Sequence, residues 1–316
     1  MRIAFKLAVC ALATFFLLTS DTSAKKLKKE ELISLHLKSI GENLARKTRL
    51  AQGVGTMDIR VGGSGKLAGP AVFVSEGTML RSSFRFGHAT YAEETAIRNG
   101  DKVEVRHITP GLRSQLGDVL WNNFPRVMQE GLYGGVLGTD WALLDVQGRR
   151  SKLNYKGLKK FDDKKVHQLQ YRMRKGVDYN INLYFEPETY RHVASRYLLV
   201  VPAGMGRRIE NIRGSQSSQG DLGGSATAPR VADPESRSRI TLEERFEDFK
   251  EVDGLTLPHT YRLTVNQSLQ RSSFVGHWEM KFNNITHDRA IDSKIFTIKL
   301  MEVTSEILQP DVQIHT

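Results

Sequence analysis

The sequence predicts a mainly β (α+β) protein in which one large antiparallel sheet is covered by a few helices. At least ten segments of Val, Ile, Phe and Tyr alternate with polar residues and end at Gly, Asn or Asp, which is the pattern of antiparallel strands. Helical spacing of apolar residues occurs at residues 30–41 and 114–130. A large sheet has an apolar face, and these two segments must help to cover it.

Residues 1–24 have the features of a cleavable secretory signal peptide. Arg2 and Lys6 precede an apolar run at residues 7–18, and a polar segment then ends at Ala24, a suitable cleavage site. The run is shorter than the roughly 20 apolar residues of a membrane-spanning helix, so a retained anchor is the less favoured alternative. Cys10, the only cysteine, lies too early in the run for a lipoprotein cysteine. We therefore expect export, and a mature chain without disulfide or thiol chemistry.

The mature chain is predicted to begin with a short amphipathic helix at residues 30–41, because Glu30 and Glu31 suit a helix start and Gly41 suits its end. Strand patterns follow at residues 56–61, 79–86, 102–108, 152–161, 165–174, 180–186, 190–200, 240–249, 257–265 and 274–285. The sequence Asn-Gly-Asp at 99–101 predicts a hairpin turn. The sequence Gly-Gly-Ser-Gly-Lys at 62–66 predicts another, since Leu67 stands where a phosphate-binding loop needs Ser or Thr.

Residues 114–130 predict a helix that is broken at Pro125. The apolar residues at intervals of three and four are Leu116, Val119, Leu120, Phe124, Val127 and Met128. Glycines at 131, 134, 135 and 138 then end the helix. The apolar segment 132–138 between them is either a mobile flap over a cavity or a tight core loop.

Residues 214–236 predict a disordered polar insert. They are rich in Ser, Gly, Gln and Ala and almost free of large apolar side chains, so they cannot bury enough surface to order themselves. Strand-like sequence resumes at Arg239 and continues the earlier pattern. We therefore predict one domain, residues 25–316, that contains the insert; a split into two domains at this point is the alternative.

The charge of the mature chain favours anionic partners. Without residues 1–24 the chain has 44 Lys and Arg against 34 Asp and Glu. Such a surface favours lipid head groups, lipopolysaccharide or an anionic membrane surface as partners. Transient contact with an envelope protein is a further alternative. Export makes nucleic acid the least favoured anionic partner, so we predict none.

The sequence contains no set of residues with the spacing of a known catalytic or metal-binding motif. The nine histidines are scattered, and none is followed at four residues by a second histidine in a zincin pattern. The adjacent carboxylates Asp162-Asp163 and Glu243-Glu244 lie on predicted strands or turns, where neighbours point to opposite faces, so neither pair suits acid/base catalysis. We predict a non-enzymatic protein without cofactor, metal or catalytic residues; a secreted hydrolase with a noncontiguous site stays open.

Four sequence segments resemble the periplasmic LolA-like family of outer-membrane lipoprotein-sorting proteins. They are LHLKSIG at 35–41, KVHQL at 165–169, YFEPET at 184–189 and FKEVDGLTLPH at 249–259, and the resemblance extends from residue 32 to residue 298. It implies an unclosed β-barrel that wraps around helices. Its apolar concave face would then shelter the acyl chains of a lipid or lipoprotein.

On this resemblance we predict a periplasmic carrier or chaperone for lipid or lipoprotein acyl chains, acting in outer-membrane lipoprotein or lipid transport. The candidates for lining its cavity are Phe84, Phe86, Leu116, Val119, Leu120, Phe124, Val127 and Met128. A fully packed core would use the same residues. The alternative function is an envelope-stress sensor like RseB, or another periplasmic protein-interaction module.

Overall fold

A computed structural model describes residues 27–41, 47–60, 64–88, 91–109, 112–174, 179–201, 238–268 and 273–298. The predicted signal peptide at 1–24 and the predicted insert at 214–236 lie outside these residues. The helical elements are α1 (Lys29–Ile40), α2 (Gln115–Asn122), α3 (Pro125–Gln129), η1 (Gly135–Leu137), η2 (Ala142–Asp145), α4 (Val146–Arg149) and η3 (Ser293–Phe296). None of the described helices is long and apolar enough to cross a membrane.

The strands before α2 are β1 (Thr48–Arg60), β2 (Ser64–Glu76), β3 (Met79–Arg85), β4 (Glu93–Asn99), β5 (Lys102–Val105), β6 (His107–Thr109) and β7 (Leu112–Arg113). Those after α4 are β8 (Lys152–Phe161), β9 (Lys164–Arg172), β10 (Asn180–Phe185), β11 (His192–Val201), β12 (Ser238–Val252), β13 (Leu255–Ser268) and β14 (Ser273–His287). Strands pair on either side of both predicted turns, β1 with β2 and β4 with β5. Residues 61–63 of the first turn lie outside the described residues, and β2 begins at Ser64.

Twelve of the described strands form one antiparallel sheet in the order β5-β4-β3-β2-β1-β14-β13-β12-β11-β10-β9-β8. The first and last of its strands in the chain, β1 and β14, pair at its centre. Strands β5 and β8 are its two edges, so the sheet is not closed within the described residues. This architecture confirms the predicted fold class, a mainly β protein whose curved, unclosed antiparallel sheet covers a few helices.

The centre of the sheet bends where β14 carries a bulge opposite Gln52 and Gly53 of β1. A Cβ atom at Gly53 would overlap the backbone carbonyl of Lys281, so only glycine permits this close approach of β1 to β14. The bend turns residues of both halves of the sheet toward one concave side. The ring of Tyr133, for example, packs 6.4 Å from Phe73 of β2 and 6.2 Å from Tyr261 of β13, measured between centroids.

The segment 114–150, which joins edge strand β5 to edge strand β8 through α2, α3, η1, η2 and α4, lies on this concave side. We call it the cover. The predicted helix at 114–130 is confirmed as α2 and α3, with the break immediately before Pro125. The segment 132–138 is a buried loop that contains η1, and this burial favours the tight core loop over the mobile flap.

The convex side carries a smaller apolar cluster. Val72 and Val74 of β2 and Ile97 of β4 pack there against Ile295 and Phe296 of η3. As a result β4 and residues 71–75 of β2 are buried on both faces.

Candidate functional site

The eight residues predicted to line a cavity meet in one buried cluster between the concave face and the cover. Phe84 and Phe86 come from β3 and its end, and the other six come from α2, α3 and their junction. Each is 0–2% exposed to solvent. Protein side chains contact them, as in the Phe84–Phe86 pair at 5.8 Å and the Phe124–Tyr179 pair at 5.5 Å between ring centroids. Their role in binding an acyl chain stays a prediction.

The first turn of α2 is attached to the sheet by Glu94 of β4. The Glu94 carboxylate accepts hydrogen bonds from the backbone N–H of Leu116 at 2.8 Å and of Gly117 at 3.2 Å. Its other oxygen accepts from the indole N–H of Trp278 at 2.6 Å. Burial raises the pKa of Glu94, and the hydrogen bonds oppose that rise, the one with Ser114 first. A carboxylate at a helix N-terminus also interacts favourably with the helix dipole.

Further along the cover, α3 is attached by Arg98 and Tyr179. The buried guanidinium of Arg98 donates to the backbone carbonyl of Met128 at 2.8 Å and forms an ion pair of 3.0 Å with Asp140. The Tyr179 hydroxyl donates to the carbonyl of Asn123 at 2.7 Å. The bond to Met128 adds to the one that its carbonyl accepts from the N–H of Gly131, and the Tyr179 hydroxyl binds the carbonyl at the end of α2.

Glu244 of β12 holds the core loop that contains η1. Its carboxylate accepts hydrogen bonds from the backbone N–H of Gly134 at 2.7 Å, from the Tyr197 hydroxyl at 2.6 Å and from the Tyr261 hydroxyl at 2.5 Å. Burial raises the pKa of Glu244 to about 7, and these hydrogen bonds keep it from rising further. Glu244 therefore changes charge near neutral pH in the middle of the core.

Two buried histidines lie where α1 meets the cover. Trp141 of the cover donates its indole N–H to His36 Nε2 at 3.1 Å, so His36 Nδ1 carries the proton and donates to the carbonyl of Tyr190 at 3.0 Å. Burial lowers the pKa of His36 to about 4, although the bond to Tyr190 opposes it. His192 stacks on Trp141 with centroids 4.8 Å apart, and burial lowers its pKa well below the usual value. Both rings are neutral at physiological pH.

The site offers no arrangement that we assign to catalysis. Ser195 Oγ lies 3.0 Å from His192 Nε2, a distance that suits a nucleophile and its base, but both side chains are fully buried beneath the core loop. Across the described ranges of the chain, no group of three or more His, Cys, Asp or Glu side chains could hold a metal ion.

Sequence reasoning found the apolar part of this site and missed its polar part. Glu94, Arg98 and Glu244 were not singled out as site residues, although the adjacent pair Glu243-Glu244 does point to opposite faces as predicted. A signal was present for Glu244. In β12 the inward residues alternate as Ile240, Leu242, Glu244 and Phe246, so one carboxylate occupies a position of the buried face.

No protein-family model matches the sequence, and no curated protein matches it significantly. Several solved structures align with it. A LolA superfamily protein from Nitrosomonas europaea covers 86% of this chain and 98% of its own, with 12% identity and a TM-score of 0.41. A putative outer membrane lipoprotein-sorting protein domain from Vibrio parahaemolyticus covers 84% of this chain and 94% of its own, with 10% identity and a TM-score of 0.37.

A chain of the Pseudomonas aeruginosa MucA/MucB complex covers 82% of this chain and all of its own, with 11% identity and a TM-score of 0.22. The first two structures carry the family description that the sequence segments resemble. Their identity and TM-score are too low to assign this chain to a family.

Proposed function

We propose that this protein is an exported, non-enzymatic carrier that shelters the acyl chains of a lipid or lipoprotein between its concave sheet and the cover. The observation that carries the proposal is how the cover is attached. Within the described residues, hydrogen bonds and ion pairs of side chains attach it to the sheet, among them the bonds of Glu94, Arg98 and Glu244 to backbone groups of the cover. No strand ladder joins the two, so the cover can separate without unpairing the sheet.

The energies are compatible with an exchange of cover for cargo. Each hydrogen bond between sheet and cover contributes about 1 kcal/mol net, because water replaces it on opening. An acyl chain of about 14 methylenes that enters the apolar cluster contributes roughly 11 kcal/mol at about 0.8 kcal/mol per methylene. The apolar residues uncovered by the opening, such as Leu120 and Phe124, would then contact the cargo instead of the sheet.

Export is supported by the predicted signal peptide at residues 1–24, and a periplasmic location by the resemblance to LolA-like proteins. A carrier of this kind would act in the transport of lipids or lipoproteins to the outer membrane. Its partners would be the acylated cargo and, transiently, an anionic membrane or an envelope protein.

The test uses delipidated protein, a fluorescent fatty acid and native mass spectrometry after mixing with lipid extract. Wild-type protein should take up acyl probe in a defined ratio. Glu94→Gln removes charge from the bonds to α2, and a loss of about 1–3 kcal/mol there should raise the open population, and with it the uptake rate, roughly 5- to 150-fold. Glu93→Gln is the matched control, because Glu93 is also buried but binds Arg81 and Arg106 on the convex side.

Absence of uptake by the wild-type protein would end the carrier proposal. Equal acceleration by Glu93→Gln would show that general destabilisation, not the cover, controls entry.

A second candidate function is a protein-interaction module of the periplasm. The observation that favours it is the complete burial of the eight candidate residues, which then form an ordinary core. In that case the protein would take up no acyl probe, and the surface rather than the interior would carry its function.

A further inference from the structure

The hairpin of β8 and β9 carries a concentration of positive charge. Its exposed lysines are Lys152, Lys156, Lys159 and Lys160 on β8 and Lys164 and Lys165 on β9. The two aspartates at its turn already have cationic partners, Arg245 for Asp162 at 2.6 Å and Lys160 for Asp163 at 3.1 Å. We call residues 152–165 the basic hairpin.

An apolar side chain lies next to some of these lysines. Leu158 shares a face of the hairpin with Lys160 and Lys165, whereas Lys159 and Lys164 are on the opposite face. Leu158 is 52% exposed, one of the large hydrophobic residues that the described surface leaves open to water. It follows the bulge of β8 between Tyr155 and Leu158, where Gly157 has a φ of +82°. Bulges re-aim the side chains next to them, and this one places Leu158 outside the buried cluster.

The basic hairpin lies at one edge of the sheet, next to the end of the cover. Strand β8 follows the cover directly, and Ser151 between them donates a hydrogen bond of 2.9 Å to Glu130 of the cover. The opposite edge, β5, is shorter and packs against α2 and α3. Of the two edges, β8 is therefore the one that can meet a large partner.

Lysines on an edge strand also protect it from pairing with other strands, and this simpler explanation covers part of the pattern. It extends to Lys164 and Lys165 as well, because β10 pairs with β9 only from His167 onward and these two lysines pair with β8 alone. It does not cover Leu158, since an exposed leucine promotes association instead of preventing it. Basic residues around one exposed apolar side chain suit the surface of an anionic bilayer, where charge attracts and the apolar group enters the interface.

We propose that the basic hairpin docks this protein on an anionic lipid bilayer, with Leu158 inserted among the head groups. Docking goes beyond the carrier proposal, because it needs no acyl chain in the buried cluster. It places the end of the cover against the bilayer. Each lysine near such a surface strengthens binding by roughly fivefold, and the effect falls with salt.

The experiment measures co-sedimentation of the mature protein with phosphatidylcholine vesicles that contain or lack phosphatidylglycerol. The test variant changes Lys156, Lys159 and Lys165 to Gln; within the described structure these three form no ion pair. It should bind the anionic vesicles roughly 100-fold more weakly than the wild type. The control variant changes Lys102, Lys250 and Lys294, which have acidic partners in Glu104, Asp248 and Asp292, and should bind within a few-fold of the wild type.

Insertion is measured separately with Leu158→Trp, whose fluorescence should shift to the blue on anionic vesicles and stay unchanged with phosphatidylcholine alone. Equal vesicle binding by the two triple variants would overturn the proposal. So would self-association of the test variant with unchanged vesicle binding, which would mean edge protection only. Binding of a Glu-rich extended peptide without vesicle binding would assign the surface to an acidic protein and also overturn it.

Uptake of the fluorescent fatty acid in the same variants separates this proposal from the carrier function. The test variant should take up the soluble probe like the wild type, because its substitutions lie outside the buried cluster. Vesicle docking without any uptake would refute the carrier function and leave docking intact. Uptake of the probe with no difference in docking between the two triple variants would refute docking and leave the carrier function intact.

Discussion

Replacing Glu244 by glutamine should change the pH dependence of stability by an amount that the structure sets. The pKa of Glu244 is raised from 4.5 to about 7, so the folded protein holds a proton there that the unfolded chain releases. Its contribution to stability is therefore complete below pH 4.5 and is lost as the pH rises through 7. A shift from 4.5 to about 7 corresponds to about 3 kcal/mol. Glutamine has the same shape but does not ionise.

We expect the free energy of unfolding of Glu244→Gln, relative to the wild type, to increase by about 3 kcal/mol between about pH 4 and about pH 8. Imperfect hydrogen bonds of the amide with Tyr197 and Tyr261 add an offset that does not vary with pH. The buried His36 and His192 make the folded protein less stable as the pH falls below 6.5, their unfolded pKa. The wild type and Glu244→Gln both contain these histidines, so the effect cancels in the difference.

The assay is urea unfolding followed by tryptophan fluorescence at a series of pH values. Glu243→Gln is the matched control, since Glu243 lies on the same strand but faces outward, where it binds Arg196 and Arg245. The difference between the two variants isolates the effect of burial from the loss of one carboxylate. Curves for the wild type and Glu244→Gln that stay parallel across the pH range would refute the reasoning.

Two further predictions concern the core loop and the connection between β11 and β12. Gly134→Ala should destabilise the protein by about 1–3 kcal/mol more than Gly157→Ala, because both have φ near +80° but only a Cβ at 134 would overlap the ring of Phe73; equal urea midpoints would contradict this. Replacing residues 202–237 by a two-residue turn should raise the free energy of unfolding by about 2–3 kcal/mol through loop closure, since the strands on either side are already paired. Loss of the sheet signal in circular dichroism would instead favour two domains.

Most strands could be predicted from the sequence because one of their faces is exposed to solvent. Where both faces are buried, the alternation disappears and the prediction fails. Strand β4 was missed for this reason: its residues from Glu93 to Arg98 are all buried, the inward ones beneath α2 and the others beneath η3. Since η3 lies about two hundred residues further along the chain, no local sequence pattern indicates that the second face of β4 is also buried.

The candidate site divides in the same way. Its apolar residues on α2 and α3 were predicted, because helical spacing and Pro125 are local signals. The polar residues that attach the cover were not, because each bonds to backbone groups far away in the sequence. Glu94 binds the backbone N–H of Leu116, and Glu244 binds that of Gly134. The residue types around a backbone N–H do not indicate which side chain will bind it. The alternation of residues along a strand shows which face of the sheet a carboxylate occupies. It does not show which group accepts or donates its hydrogen bonds.

The polar attachment of the cover has a physical consequence for any function that requires opening. If apolar packing alone fixed the cover, it could slide over the concave face, because dispersion contacts are not directional. The bonds from Glu94, Arg98 and Glu244 reach three separate parts of the cover and fix its register. They are also contacts that water can replace when the cover opens. A cover that closes in one position and opens as a unit needs both properties.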